Sequence, residues 1–171
     1  MKITISGLPG SGTTTVAKLV CKMLNLKLIS AGEIFRQMAA QRGMTLEEFG
    51  KFAEQNPDID TLIDKTQKEL AEKEDNVVVE GRLSGWMVKD ADLKIWLFAD
   101  SEVRYERIAE REKKSITIVR QETRAREEIE KRRYKKFYGI NIDDWTIYDL
   151  IINSGRFTAE KIAEIIVKAV E

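Results

Sequence analysis

Apolar positions set out the chain's elements before any chemistry is considered. Residues 2 to 6 alternate around Ile3 and Ile5, which predicts a strand. A glycine-rich turn follows, and then Val16, Leu19, Val20, Met23 and Leu24 recur at the i, i+3, i+4 spacing of a helix. A short apolar piece, Leu28-Ile29, leads to Ser30, and Glu33 three residues on predicts a capping box opening a second helix that runs to about Arg42. Thr45 and Glu48 predict another box ahead of Phe49 and Phe52. Pro57 then interrupts, and Asp58 or Asp60 is expected to cap a helix carrying Leu62, Ile63 and Leu70. Residues 45 to 74 read as a helical insertion. Three continuous apolar runs, Val77-Val78-Val79, Ile95-Trp96-Leu97-Phe98 and Leu150-Ile151-Ile152, predict strands covered on both faces, as in a parallel sheet. Ile162, Ile165, Ile166, Ala169 and Val170 give the final helix, from about Thr158 to Val170, an apolar face to lay on that sheet. The alternation predicts an α/β class with a parallel sheet. No repeat or Pro/Gly linker divides the chain, so residues 1–171 are expected to form a single domain.

Composition narrows the chemistry by exclusion. The 29 Lys and Arg cancel the 29 Asp and Glu, so no global field draws the protein to nucleic acid or to an anionic membrane. Cys21 is the single cysteine and histidine is absent, which rules out internal disulfides, Cys/His zinc clusters and histidine acid/base catalysis. Met1-Lys2 runs straight into the first strand without a signal-peptide stretch, and no apolar run approaches the ~18 residues that span a bilayer. A monomer in the reducing cytoplasm, with small-molecule partners, is the expectation.

The turn after the first strand carries the sharpest signal. Gly7-Leu8-Pro9-Gly10-Ser11-Gly12-Thr13-Thr14 matches the phosphate-binding pattern GxxxxGK[ST], except that Thr13 stands where lysine is expected; Thr15 follows. Glycines let backbone N–H groups converge on phosphate oxygens, and the helix that starts here adds its unpaired donors and positive dipole end. Gly7 through Thr15 are therefore the candidate ATP-binding residues, with the Thr14 hydroxyl placed to meet Mg²⁺. The missing lysine removes a charge from the β and γ phosphates. Lys18 lies roughly 140° round the helix from Thr13 and cannot replace it, so arginines further along are the candidates.

Ser30-Ala31-Gly32-Glu33-Ile34-Phe35-Arg36 puts an arginine on the first turns of a helix beside the phosphate loop, and the valine run ends in Glu80-Gly81-Arg82. With the phosphate loop and the closing Tyr148 to Asn153 segment, this order resembles the nucleoside monophosphate kinases over essentially the whole chain, and within them archaeal-type cytidylate kinases most. The resemblance implies a five-stranded parallel sheet flanked by helices, an acceptor-binding insertion at about 31–74 and a lid at about 111–138 over ATP. It implies that Ser30, Gly32, Arg36, Gly81 and Arg82 bind the acceptor nucleotide, and that Glu80 acts on Mg²⁺ through water. Tyr105 to Arg111 is similar to the helix before the lid in adenylate-type kinases, which puts Arg107 on ATP and Arg111 on its phosphates. From Arg104 to Lys136 there are 13 basic and 7 acidic residues, a net of +6, as expected of a lid closing on triphosphate. Arg120, Arg126, Arg132 and Arg133 are candidates there; Arg126 and Arg133 best match the family's lid pattern and, with Arg111, form the expected catalytic set. The plainer account of these charges is a solvated helix laced by i, i+4 pairs such as Glu127 with Lys131 and Glu128 with Arg132.

Phosphoryl transfer to a monophosphate fits an inventory without histidine. The acceptor oxygen is largely ionised at neutral pH because the second phosphate pKa is about 6, so no general base is needed. Positioning and charge neutralisation suffice, and arginines, Mg²⁺ and backbone donors supply both. The expected reaction moves the γ-phosphoryl of ATP to CMP. An adenylate or other small-substrate kinase, and a nucleotide-binding switch without catalysis, are the alternatives.

Overall fold

The computed structural model of the chain describes residues 1–171. Five parallel strands, β1 (Lys2–Gly7), β2 (Lys27–Ser30), β3 (Val77–Glu80), β4 (Leu93–Phe98) and β5 (Leu150–Asn153), lie in the order β2-β3-β1-β4-β5. The helices between them are α1 (Thr13–Leu24), α2 (Ala31–Gln41), α3 (Leu46–Gln55), α4 (Asp58–Glu72), α5 (Ser84–Met87), α6 (Ser101–Glu112), α7 (Ile116–Tyr138) and α8 (Ala159–Val170). No helix is long and apolar enough to cross a membrane.

The apolar runs fill the centre as their pattern predicts. All four residues of β3 are buried, and Ile3, Ile5, Val78, Ile95 and Leu97 pack with Val16, Val20, Ile162 and Ile166 of α1 and α8 on one face. Val77 and Val79 face the other way into a second cluster with Phe49, Ile59 and Ile63, which fastens α2, α3 and α4 to the sheet. β5 departs from the expectation of two covered faces: it is the sheet's edge, and Ile151 is 45% exposed.

Capping differs from the expectation at two of three sites. Thr45 and Glu48 form the full reciprocal box. At Ser30 only half of it forms: the hydroxyl accepts from Glu33 N, while the Glu33 carboxylate turns to the guanidinium of Arg36 at 3.3 Å. Neither Asp58 nor Asp60 caps α4; Pro57 holds the N-cap without a side-chain bond, and both carboxylates lie in the first turn, where they favour the helix dipole. The helical pairs expected on α7 also fail to form, because Glu127 is taken by Arg104 and Lys131 by Asp143. The pair that does form is Arg126 with Glu130.

Candidate active site

The carboxyl ends of parallel strands leave a crevice where ligands bind in open α/β sheets. In this chain Glu80 occupies its centre, at the end of β3, level with Ile5 on one neighbour and Ser30 on the other. It is 6% exposed, a burial that a carboxylate sustains only when its oxygens are paired. Thr13 Oγ1 donates to Glu80 Oε1 at 2.7 Å and Thr14 Oγ1 to the same oxygen at 3.3 Å, while Ser30 Oγ donates to Oε2 at 2.7 Å. From below, Gln67 Nε2 donates to the Glu80 carbonyl at 2.6 Å and reaches the Ile29 carbonyl at 3.5 Å, tying α4 to the ends of β3 and β2.

The phosphate loop enters this cluster from β1. Gly10 and Gly12 adopt φ of 81° and 85°, the left-handed region open to glycine, and these turns bring the chain over into α1. Thr13 and Thr14 thus sit on the first turn of α1, where free N–H groups attract anions. In place of the lysine of the general motif, Thr13 makes a hydrogen bond to Glu80 and adds no charge.

On the far side of the loop a cavity of about 370 Å³ opens between α1, α6 and α8, lined among others by Gly10, Gly12, Thr15, Arg111 and Phe157. Arg111 is exposed there and ion-pairs with Glu112 at 3.6 Å. Arg107 is anchored: it donates to Gly10 O at 3.1 Å and to Ser154 O at 2.6 Å, fixing the loop to the end of β5.

On the other side, the acceptor candidates divide. Gly81 is a point of close approach, where a Cβ would come within 2.9 Å of Gln67 Oε1, whereas a Cβ on Gly32 would meet only ordinary contacts, with Ser30 Oγ at 3.7 Å and Arg36 Nη1 at 3.8 Å. Arg36 is half exposed over the first turn of α2. Arg82 is partly buried and ion-paired with Glu130, whose other oxygen accepts from Arg126 Nε at 2.9 Å. Burial pulls the Arg82 guanidinium below its ordinary pKa. Of the lid candidates, Arg126 leaves its side chain 66% exposed, whereas Arg133 is 10% exposed and donates to Asp60 Oδ2 at 2.5 Å, with Asp64 at 3.8 Å. Arg120 is drawn to Glu102 on α6. Unlike Arg111, neither Arg120, Arg126 nor Arg133 lines the cavity beside the phosphate loop. Burial pushes the Asp64 carboxyl up to about 6, against the pull of Arg133 and the Tyr138 hydroxyl, which donates to it at 3.0 Å.

Gln67, Arg104, Asp60, Asp64 and Glu130 escaped the reading of the sequence. For two of them a signal existed. Gln67 continues the buried stripe Ile59, Ile63, Ala71 of α4, and Glu130 the stripe Val119, Thr123, Tyr134 of α7; a polar residue on an apolar stripe is a group with a partner to find.

The cluster suits Mg²⁺. Its donors are hydroxyl and carboxylate oxygens, the hard ligands that this ion prefers, and there is no group of three acidic, His or Cys side chains that would make a protein-only cage. Mg²⁺ characteristically takes one or two carboxylates and completes its shell with water and substrate phosphates. Thr14 and Glu80 are the residues that fit it.

Solved structures share this architecture. Shikimate kinase from Acinetobacter baumannii, in complex with shikimate, superposes with a TM-score of 0.68 at 14% identity, covering 99% of this chain and 92% of that one. Shikimate kinase from Bacteroides thetaiotaomicron gives 0.66 at 17%, covering 99% and 98%. At these identities the likeness establishes the fold alone, the P-loop kinase fold. Within that class the chain belongs to the cytidylate kinase-like family, whose model matches residues 2–156. It is 74% identical over 171 residues to the cytidylate kinase of Archaeoglobus fulgidus, covering all of this chain and 95% of that protein. It is also 52% identical to the cytidylate kinases of Methanococcus aeolicus and Pyrococcus horikoshii, covering 99% of this chain in each case and 97% and 88% of those proteins.

Proposed function

We propose that the protein transfers the γ-phosphoryl group of ATP to CMP, giving ADP and CDP. The observation that carries this reading is the 74% identity, over the whole chain, with a protein named cytidylate kinase. The strand-end geometry supports the chemistry: backbone donors at Gly10 to Thr15 cradle the ATP phosphates, the cavity beside Arg111 and Phe157 takes its base, and Ser30, Gly32, Arg36, Gly81 and Arg82 receive the acceptor. Residues 31–74 then form the acceptor-binding insertion, and the segment 111–138 acts as the lid.

Mg²⁺ would be held by Thr14 directly and by Glu80 through water. Bound there, it would supply positive charge to offset that of the triphosphate during transfer. The chain's own part is alignment. Arg36 and Arg82 orient a dianion whose oxygen needs no base, and the exposed Arg126 and Arg111 supply the charge that Thr13 does not. Arg133 joins them only by exchanging Asp60 for phosphate. We further place the protein in the cytoplasm, acting as a monomer on free nucleotides.

The test is ADP formation from Mg²⁺-ATP with CMP, dCMP, UMP, AMP and GMP in turn. CMP should give the highest kcat/KM. A higher value with AMP or UMP would replace the acceptor, and no turnover with any of them would favour a non-catalytic nucleotide-binding role.

A further inference from the structure

Buried charge away from the strand-end cluster concentrates along one stripe of α7. Glu127, Glu130 and Arg133 follow one another at three-residue steps, each advancing roughly 4.5 Å at about 1.5 Å per residue. They reach three different parts of the molecule. Arg133 holds Asp60 on α4, Glu130 holds Arg82 just past β3, and Glu127 Oε1 accepts from Arg104 Nη1 at 2.6 Å. The first two contacts lie on the acceptor side. The third leads to the donor side, because Arg104 also donates from Nη1 to Pro9 O at 3.0 Å and from Nε to Ala99 O at 3.3 Å.

Arg104 is 5% exposed. A guanidinium that deep persists only where its charge is matched, and Glu127 is the carboxylate that matches it. Its backbone bears on the loop as well, since a Cβ on Gly10 would come within 2.6 Å of the Arg104 carbonyl oxygen. The apex of the phosphate loop therefore rests on Arg104, and Arg104 rests on α7.

We propose that Arg104 and Glu127 are positioning residues that tie the phosphate loop to α7, and that α7 thereby links occupancy of the donor site to occupancy of the acceptor site. Neither residue touches substrate. An acceptor phosphate that engages Arg82 resets the contact of Glu130, and so the placement of α7. Glu127 moves with its helix, and the hydrogen bond from Arg104 to the Pro9 carbonyl tightens or loosens accordingly. Such a link is a coupling free energy and acts equally in both directions. The proposal rests on the CMP kinase reading, because it requires a monophosphate beside Arg82.

Calorimetric titration tests it on the intact chain. A non-hydrolysable ATP analogue with Mg²⁺ is titrated with and without saturating CMP, and CMP with and without the analogue. The wild type should show each ligand tightening the other by about 5-fold or more. In Glu127→Gln the factor should fall below about 2-fold, with the affinity for CMP alone unchanged; Arg104→Lys should also weaken the analogue by itself. A wild-type factor near one, or an unaltered factor in a folded Glu127→Gln, overturns the proposal; a pair with only a structural role would lower the melting temperature and leave the factor in place. If Arg104→Lys fails to fold, Glu127→Gln decides, since it keeps Arg104 and its carbonyl contacts. Turnover of CMP by the wild type is measured first. If another monophosphate is the acceptor, the CMP reading fails, and the same titrations with that nucleotide judge the coupling separately.

Discussion

The proposed donor and acceptor ends of the site are held by different physics. At the donor end, the hydroxyls of Thr13, Thr14 and Ser30 meet at Glu80 and the loop beside them turns on left-handed Gly10 and Gly12, so that all of these groups but Ser30 and Glu80 fall within residues 7 to 15. At the acceptor end, guanidinium groups are pinned by carboxylates far away in the chain: Arg82 by Glu130, 48 residues on, and Arg133 by Asp60, 73 residues back. Backbone donors are fixed by the turn itself and tolerate the loss of a side chain, which is how Thr13 can stand in a lysine position. Buried charges tolerate no such loss, because each leaves another uncompensated. In the proposed function the charge that Thr13 lacks comes from α7, where Arg126 and Arg133 are already paired with carboxylates.

Substitutions at the two ends should separate these kinds of support. The largest effect is expected at Glu80, where the donor hydroxyls meet. Glu80→Gln keeps the shape, removes the charge that suits Mg²⁺, and should lower kcat by about 10³, roughly 4 kcal/mol of transition-state stabilisation. Steady-state kinetics at saturating Mg²⁺-ATP check this, and a kcat within a few-fold of wild type would remove Glu80 from the centre of the site. Arg133→Ala should act on folding instead: it strips Asp60 and Asp64 of their cation and should cost about 3 kcal/mol in a urea titration. A variant as stable as wild type would show that these charges are not committed at all.

Smaller effects refine the contrast. Arg36 is half exposed and pairs only with Glu33 on its own helix, so Arg36→Ala should raise KM for CMP about 10-fold, leave KM for ATP unchanged and leave stability within about 0.5 kcal/mol. The smallest effect is a pH dependence. With Asp64 raised from 3.8 to about 6, the folded chain binds more protons than the unfolded one between those values. Stability contributed by this group is thus full in acid and is lost as pH rises through that window. The decline, on the order of 1 to 3 kcal/mol, should be absent in Asp64→Asn when urea midpoints are compared from pH 4 to 7. Parallel profiles would place Asp64 in a more polar setting than its burial indicates.

The same contrast explains what the sequence could reveal. The phosphate loop, the valine run ending at Glu80 and the helix after Ser30 were legible because their determinants are neighbours along the chain, so spacing and strand alternation carry them. The helical insertion after Ser30 was legible for the same reason, through the box at Thr45 and Glu48. The charges of α7 were not. Their i, i+4 spacing predicted pairs within the helix, yet Glu127 is claimed by the buried Arg104 on α6, because a buried charge requires a fixed partner, and the exposed Lys131 pairs with Asp143 beyond the end of α7. Arg107 and Arg111 share one spacing and divide in role: one is locked onto Gly10 and Ser154, the other stands open at the cavity. Only the position of β5 decides between them.

In the proposed function, charge from α7 completes a phosphate loop that lacks its lysine, and Arg126, the exposed member of that helix's network, is the residue to test. The direct measurement is a double-mutant cycle on kcat with Thr13→Lys and Arg126→Ala. Arg126→Ala alone should lower kcat by about 10², roughly 2.7 kcal/mol, with a smaller change in ATP binding, and Thr13→Lys should recover part of that loss because two residues sharing one task are non-additive. Strict additivity, together with a wild-type kcat in Arg126→Ala, would contradict the claim and leave the loop's backbone and metal to carry the charge by themselves.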